Sequence, residues 1–153
     1  MSQETLSLKI ALSGTYWDKK PQYRILFNDQ VLKEAEIASA SDEPETMTFS
    51  VDYTTDEATL AIELVNKTYQ DTVQNEDQTA IVKDMLLNIV GIEIDDINLG
   101  QVPFQKGQYH TAEPVVFNGV TTQVVENCVN LGWNGSWHLT WTNPFYIWLL
   151  ENQ

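Results

Sequence analysis

The residues best equipped for chemistry in this chain are acids and aromatic rings gathered in two short stretches. The run Asp71-Thr72-Val73-Gln74-Asn75-Glu76-Asp77, with Asp84 beyond it, offers the hard oxygen ligands that calcium prefers. Its spacing is not that of a helix-loop-helix calcium loop, which needs glycine at the sixth position and glutamate at the twelfth. Glu76 and Val82 stand there instead. Asp71, Glu76, Asp77 and Asp84 are therefore candidate ligands of an irregular calcium site in a loop, and the alternative is a solvated acidic loop. Tyr16-Trp17-Asp18 and Tyr69 carry the composition of a sugar site, in which a ring stacks on a pyranose face while carboxylates and amides meet the hydroxyls. Trp17 reads either as such a platform or as a plug folded back into the core, and the same choice stands for Tyr16 and Tyr69.

Catalytic constellations are missing. The sequence holds no HExxH, GxSxG, GxxxxGK[ST] or GxGxxG pattern, and His110 and His138 lack a metal-binding spacing. His138, beside Trp137, reads as a sheet residue. Cys128 has no lysine or arginine near it in sequence to lower its pKa, so it reads as an inert thiol. The 22 acids leave a carboxylate pair for glycoside hydrolysis conceivable, but nothing singles one out. The expectation is a protein that is not an enzyme. Asn66-Lys67-Thr68 and Asn134-Gly135-Ser136 match the glycosylation sequon, a pattern common by chance.

The overall charge narrows the partners. Eight basic against 22 acidic residues leave a net charge of -14, which argues against binding nucleic acid or anionic lipid. A lone cysteine excludes an internal disulfide framework. No apolar run is long enough to cross a bilayer, and Met1 to Glu4 lacks the start of a signal peptide, so no membrane insertion is expected. All lysines and arginines lie at or before Lys106, whereas four of the five tryptophans fall between Trp133 and Trp148. That uncharged aromatic segment supplies either core strands or a contact surface.

The elements that must position these residues are strands. Leu6, Leu8, Ile10 and Leu12 alternate with polar or small residues, as do Tyr23, Ile25 and Phe27, then Phe49, Val51 and Tyr53, then Leu60, Ile62 and Leu64. Asn28-Asp29 offers a tight turn into Val31, and Asp95-Asp96 another before Ile97. From Asp77 to Gly91 the apolar residues recur at helical spacing yet run into the alternating Ile92, Ile94 and Ile97. The reading is a loop or short helical turn to about Lys83, then a long strand. Two Asn-Gly turns suit type I′ hairpins. Asn118-Gly119 joins Val115-Phe117 to Val120-Thr122, and Asn134-Gly135 joins Leu131-Trp133 to Ser136-His138, with Gly132 making room opposite Trp137. Trp137, Leu139 and Trp141 then share a face, and Phe145 to Leu150 forms a last strand after Pro144. The fold expected is all-β: one antiparallel jelly-roll-like β-sandwich over residues 1–153, with 101–153 as an extension of C-terminal hairpins.

A resemblance rests on particular residues. Leu8 to Leu12, Ser13-Gly14-Thr15 and Pro21-Gln22-Tyr23-Arg24-Ile25-Leu26-Phe27-Asn28-Asp29 resemble the opening of calcium-dependent xylan-binding carbohydrate-binding modules. Leu60 to Asn66, Tyr69 and the segment from Asp84 to Asp96 resemble the family's later half, with matches at Asn66, Asp84, Leu87, Ile89, Ile92 and Ile94. Lys67 stands where the family has an acidic calcium ligand, and Met85-Leu86 replaces Arg-Asn. The resemblance covers residues 5–100 and implies a jelly-roll sandwich, calcium, oligosaccharide ligands and no catalysis. At fold level the chain is also similar to accessory proteins of phage particles. The expected function is a non-catalytic, calcium-dependent glycan-binding module, an adhesin or attachment element on a phage particle. Its partners would be a glycan or other virion proteins, and its place the virion or, after release, the extracellular medium. The alternative is a structural virion protein, a capsid decoration or tail component without a small ligand, forming a homo-oligomer through residues 107–153.

Overall fold

Alternation along the first strand sets the architecture. Leu6, Leu8, Ile10 and Leu12 are all buried while Thr5, Ser7 and Lys9 point to solvent, and each fully buried Leu or Ile contributes about 1.5–3 kcal/mol. The computed structural model describes residues 3–38, 43–77, 80–117 and 119–152. In chain order the strands are β1 (Glu4–Thr15), β2 (Gln22–Phe27), β3 (Gln30–Glu36), β4 (Glu45–Tyr53) and β5 (Glu57–Leu64). After a 3-10 turn at Tyr69–Asp71 come β6 (Val73–Gln74), β7 (Ile81–Lys83), β8 (Leu86–Ile94), β9 (Ile97–Asn98) and a short helix α1 (Val102–Lys106). The chain closes with β10 (Gln108–Phe117), β11 (Val120–Glu126), β12 (Asn130–Leu131), β13 (Gly135–Thr142) and helix α2 (Phe145–Asn152). Among the described residues no helix is long and apolar enough to cross a membrane.

Two antiparallel sheets enclose one core, as the sequence predicts for a jelly-roll sandwich. One sheet runs β12-β8-β1-β4 with β9 beside β8, the other β11-β10-β13-β5-β2-β3, and β6 and β7 make a small ribbon. Facing side chains join the layers: Phe27 meets Tyr53 edge to face at 5.5 Å, and the Tyr23 hydroxyl lies 3.1 Å from the Met47 sulfur. The Trp141 indole donates to the Tyr53 hydroxyl (3.1 Å), which donates in turn to the Glu4 carboxylate. A buried indole and a buried phenol are thereby both satisfied. The turns at Asn28-Asp29 and Asp95-Asp96 form as expected, all four residues having positive φ. Phe117 pairs with Val120 across the turn that contains Gly119, so that hairpin also forms.

Three local expectations fail, each for a physical reason. Asn134-Gly135 does not close a hairpin: β12 pairs with β8 in one sheet while β13 pairs with β5 and β10 in the other, so this dipeptide crosses between layers. Gly135 is required by close approach, since a Cβ there would lie 2.8 Å from the Cα of Thr111. Room for Trp137 is made by Gly107 rather than Gly132. A Cβ on Gly107 would sit 2.5 Å from both Cε2 and Nε1 of that indole. Phe145 to Leu150 is helical, not a strand. Phe145 and Leu149, one turn apart, are buried while Tyr146, Ile147 and Leu150 are exposed, and the Glu4 carboxylate accepts the Phe145 N–H at 3.0 Å. From the segment after residue 101, β13 occupies the middle of the larger sheet.

The long strand β8 explains the ambiguous apolar run. Leu87 and Ile89 are buried, Val90 is exposed, and Ile92 and Ile94 are buried again. Opposite this point the register with β1 shifts between Ala11 and Leu12, which pair with Gly91 and Ile89. Val90 is the extra residue of a bulge, and the resulting change of phase imitates helical spacing.

Replacing Gly107 by alanine should destabilise the protein by about 1–3 kcal/mol through overpacking against Trp137. Urea unfolding checks it, and an unchanged midpoint would show that the start of β10 can move aside.

Candidate functional site

The sequence-predicted residues gather around the segment that leaves β5, but in two separate settings. Trp17 is neither core nor free: the residue is 44% exposed, its Nε1 donates to the Asp71 carbonyl at 2.9 Å, and the Lys83 ammonium sits 5.0 Å from its ring centroid. The reading of Trp17 as a buried plug is thus excluded. Tyr16 is half-buried against the core with Lys20 5.9 Å above its ring, and Asp18 is exposed. Tyr69 opens the 3-10 turn, and its side chain lies outside the described residues.

The four acids proposed as calcium ligands are placed differently from one another. Asp71 is buried and paired with Lys19 at 2.9 Å, while its Oδ2 also accepts the Thr68 N–H (2.7 Å) and hydroxyl (3.1 Å). Burial alone would push this carboxyl up, yet the Lys19 ammonium and the Thr68 donors outweigh it and hold the pKa below its ordinary value. Asp84 Oδ1 accepts from the Lys67 ammonium (2.6 Å), the Thr72 hydroxyl (2.7 Å) and the Met85 N–H (2.8 Å). Glu76 and Asp77 are exposed in the turn between β6 and β7. No three of these acids come together, and among the described residues no group of three His, Cys, Asp or Glu side chains is arranged to hold a metal ion. The donor set does not fit calcium, because its two inward carboxylates are already neutralised by ammonium groups.

Lys67, which in sequence is only a departure from the family pattern, carries most of this geometry. Its side chain is only 9% exposed, and the ammonium donates to the Met85 carbonyl (2.7 Å) as well as to Asp84. Its backbone is held by Asn134, whose Oδ1 accepts the Lys67 N–H (2.7 Å) and whose Nδ2 donates to the Lys67 carbonyl (2.8 Å). Asn134 therefore acts as a one-residue strand partner, and the sequence signal for it was the Asn-Gly pair misread as a hairpin.

Beside Lys67 opens a groove of about 700 Å³, walled by Thr68, Thr72 and Gln74 on one side and by Glu113, Trp133 and Asn134 on the other. Trp133 packs on Tyr109 at 6.2 Å, and the Tyr109 hydroxyl accepts the Trp133 N–H (2.9 Å) and donates to the Trp133 carbonyl. One aromatic wall with hydroxyls, amides and a carboxylate around it is the composition of a polar-ligand cleft. The groove is not legible in the sequence, since its walls come from residues about forty or more positions apart. Elsewhere, His138 lies in β13 with its ring 4.7 Å from His110; burial first, then that neighbour, lowers its pKa. Burial raises the thiol pKa of Cys128.

Comparison with known proteins agrees with this fold. Residues 7–112 match the family model CBM60, described as a Ca-dependent, xylan-binding carbohydrate-binding module. The solved structure of vCBM60 in complex with galactobiose superposes with a TM-score of 0.53 at 10% identity, over 87% of this chain and 96% of that one. A selenomethionine form of vCBM60 gives 0.51 at 11% identity, over 88% and 89%. At such identities these likenesses show the fold alone. None of the curated proteins matches the sequence.

The depressed pKa of Asp71 has a definite sign in stability. Its contribution is fully present above the unfolded value of 3.8 and is lost as pH falls through the lower folded value. The gap in melting temperature between the wild type and Asp71→Asn should be constant near neutrality and close below pH 3.8. Thermal unfolding across acid pH reads it, and a gap that persists at the acid end would show that the hold on Asp71 is not ionic.

Proposed function

Because the chain belongs to the family of calcium-dependent, xylan-binding carbohydrate-binding modules, we propose that it binds an oligosaccharide without acting on it. The observation that carries this is the family match over residues 7–112, more than half of the chain. The groove beside Lys67 and the exposed ring of Trp17 support a site on this face of the sandwich, on either side of residues 67–72. A pyranose would stack on Trp17 or Trp133, and its hydroxyls would meet Thr68, Thr72, Gln74, Glu113 and Asn134. Tyr16 and Asp18, which flank Trp17 in sequence, and Tyr69 belong to the same proposal.

The binding would serve attachment, with the module carried on a phage particle or released to the extracellular medium. That part rests on analogy of fold and composition. The cation such a site requires is a separate question, on which Lys67 bears.

Xylo-oligosaccharides and galactobiose, titrated by calorimetry, are the first probes. Trp17→Ala should weaken binding about tenfold, the worth of one stacked ring. Unchanged affinity in Trp17→Ala with a loss in Gln74→Ala would move the sugar into the groove, and no binding to any glycan on an array would remove the reading.

A second reading has its own observation. Strand β11 is an edge of the larger sheet, and Val116, Val120 and Val124 of the β10–β11 hairpin are exposed. Unpaired backbone beside exposed valines suits edge-to-edge pairing with a second copy, as a structural virion component would use. Sedimentation should then show a dimer that Val120→Lys dissociates. A wild type that stays monomeric as concentration rises would dismiss it.

A further inference from the structure

We infer that the ammonium of Lys67 is the resident cation of this site, in a chain whose family is described as calcium-dependent. The inference rests on the glycan reading for what the neighbouring groove would take. Three observations support it. The ammonium is almost enclosed and bonds a carboxylate oxygen of Asp84 at 2.6 Å and a backbone carbonyl of Met85 at 2.7 Å. Those are the oxygen types a calcium ion collects from a loop. The same Asp84 oxygen also takes the Thr72 hydroxyl and the Met85 N–H. A divalent ion entering there would have to displace these donors and face a fixed positive charge at close range. The other inward carboxylate, Asp71, is held by Lys19 in the same manner. Finally, Lys67 is one of the residues that line the groove, so the enclosed ion pair lies beside the space in which a ligand would lie.

A built-in ammonium differs from a bound ion in one operational respect: chelators cannot remove it. Folding, and any ligand binding in the groove, should be indifferent to calcium. A metal ion that binds only the folded state stabilises it by mass action, and at 100 times its Kd the melting temperature of a chain this size would rise by about 5–10 °C.

The test is calorimetric titration of calcium chloride into the full chain, with thermal unfolding in EDTA, calcium and magnesium at equal ionic strength. Expected are no calcium-selective heat and equal melting temperatures in all three. A calcium-selective rise of about 5–10 °C with one ion per chain overturns the inference. Magnesium controls for screening of the acidic surface. Lys67→Asp is the converse: it removes the ammonium and sets a second carboxylate beside Asp84 and the Met85 carbonyl. It should gain the calcium-selective rise that the wild type lacks. If Lys67→Asp is unfolded in EDTA, recovery with calcium but not magnesium counts as that gain. A variant indifferent to calcium, or unfolded in both, overturns the inference. No sugar enters these measurements, so an array without hits removes the glycan reading and leaves this one standing. Should xylo-oligosaccharide or galactobiose binding be found and then vanish in EDTA, the resident-cation inference falls while the glycan reading survives.

Discussion

Placing β13 between β5 and β10 is the constraint on which the rest of the molecule depends. Eight residue pairs, from Gly135 with Leu64 to Thr142 with Glu57, join it to the first half of the chain, and four more join it to β10. Its inward side chains, Trp137, Leu139 and Trp141, are fully buried. Without it the β10–β11 hairpin would have no sheet to extend and the core would lose its two largest members. The entry into β13 also sets the site. The crossing at Asn134-Gly135 brings the Asn134 amide onto the backbone of Lys67, which fixes where the lysine side chain starts.

Charge in this protein is organised by depth. The surface carries a large excess of acid, and pairs such as Lys9 with Glu93 at 3.4 Å are solvated and contribute little. At Asp71 and Asp84 the situation reverses, because these carboxylates are drawn inward and each needs a cation or several N–H and O–H donors to offset its lost hydration. Lys19 and Lys67 meet that need, and with them go two of only eight basic residues. Removing either lysine would leave a partly desolvated carboxylate behind, which costs more than the intact pair contributes. Such pairs hold the loop in one arrangement more than they stabilise the fold.

Much of the sandwich was legible because alternation is a direct record of burial. Leu6 to Leu12, Tyr23 to Phe27 and Leu60 to Leu64 face the core as their spacing requires. Legibility failed where one local signal served two geometries. Gly119 lies in the turn of a hairpin that Phe117 and Val120 close, Asn118 itself lying outside the described residues, whereas at 134–135 Asn-Gly supplies an amide clamp and a close backbone approach. Phe145 to Leu150 is too short and too apolar for periodicity to separate helix from strand, although Pro144 before it was a helix-start signal. In the site, the acids of the loop were visible but their partners were not. Pairing of Lys19 with Asp71 and of Lys67 with Asp84 depends on how the loop folds back, which residue types alone do not record. The groove was hidden for the same reason, its walls meeting only once both sheets are assembled.

The bond between the Phe145 N–H and the Glu4 carboxylate gives the molecule a polarity. Start of β1 and start of α2 meet at one pole, beside Thr142 at the far end of β13. Asn134 and Lys67 meet at the other pole, before Gly135. Eight residues of extended chain separate the two, roughly 25 Å at the usual strand rise. A neighbouring module or scaffold coupled at the Glu4–Phe145 pole would leave the groove facing outward, and tension between scaffold and ligand would run along β13, shearing its hydrogen bonds together instead of peeling them one at a time.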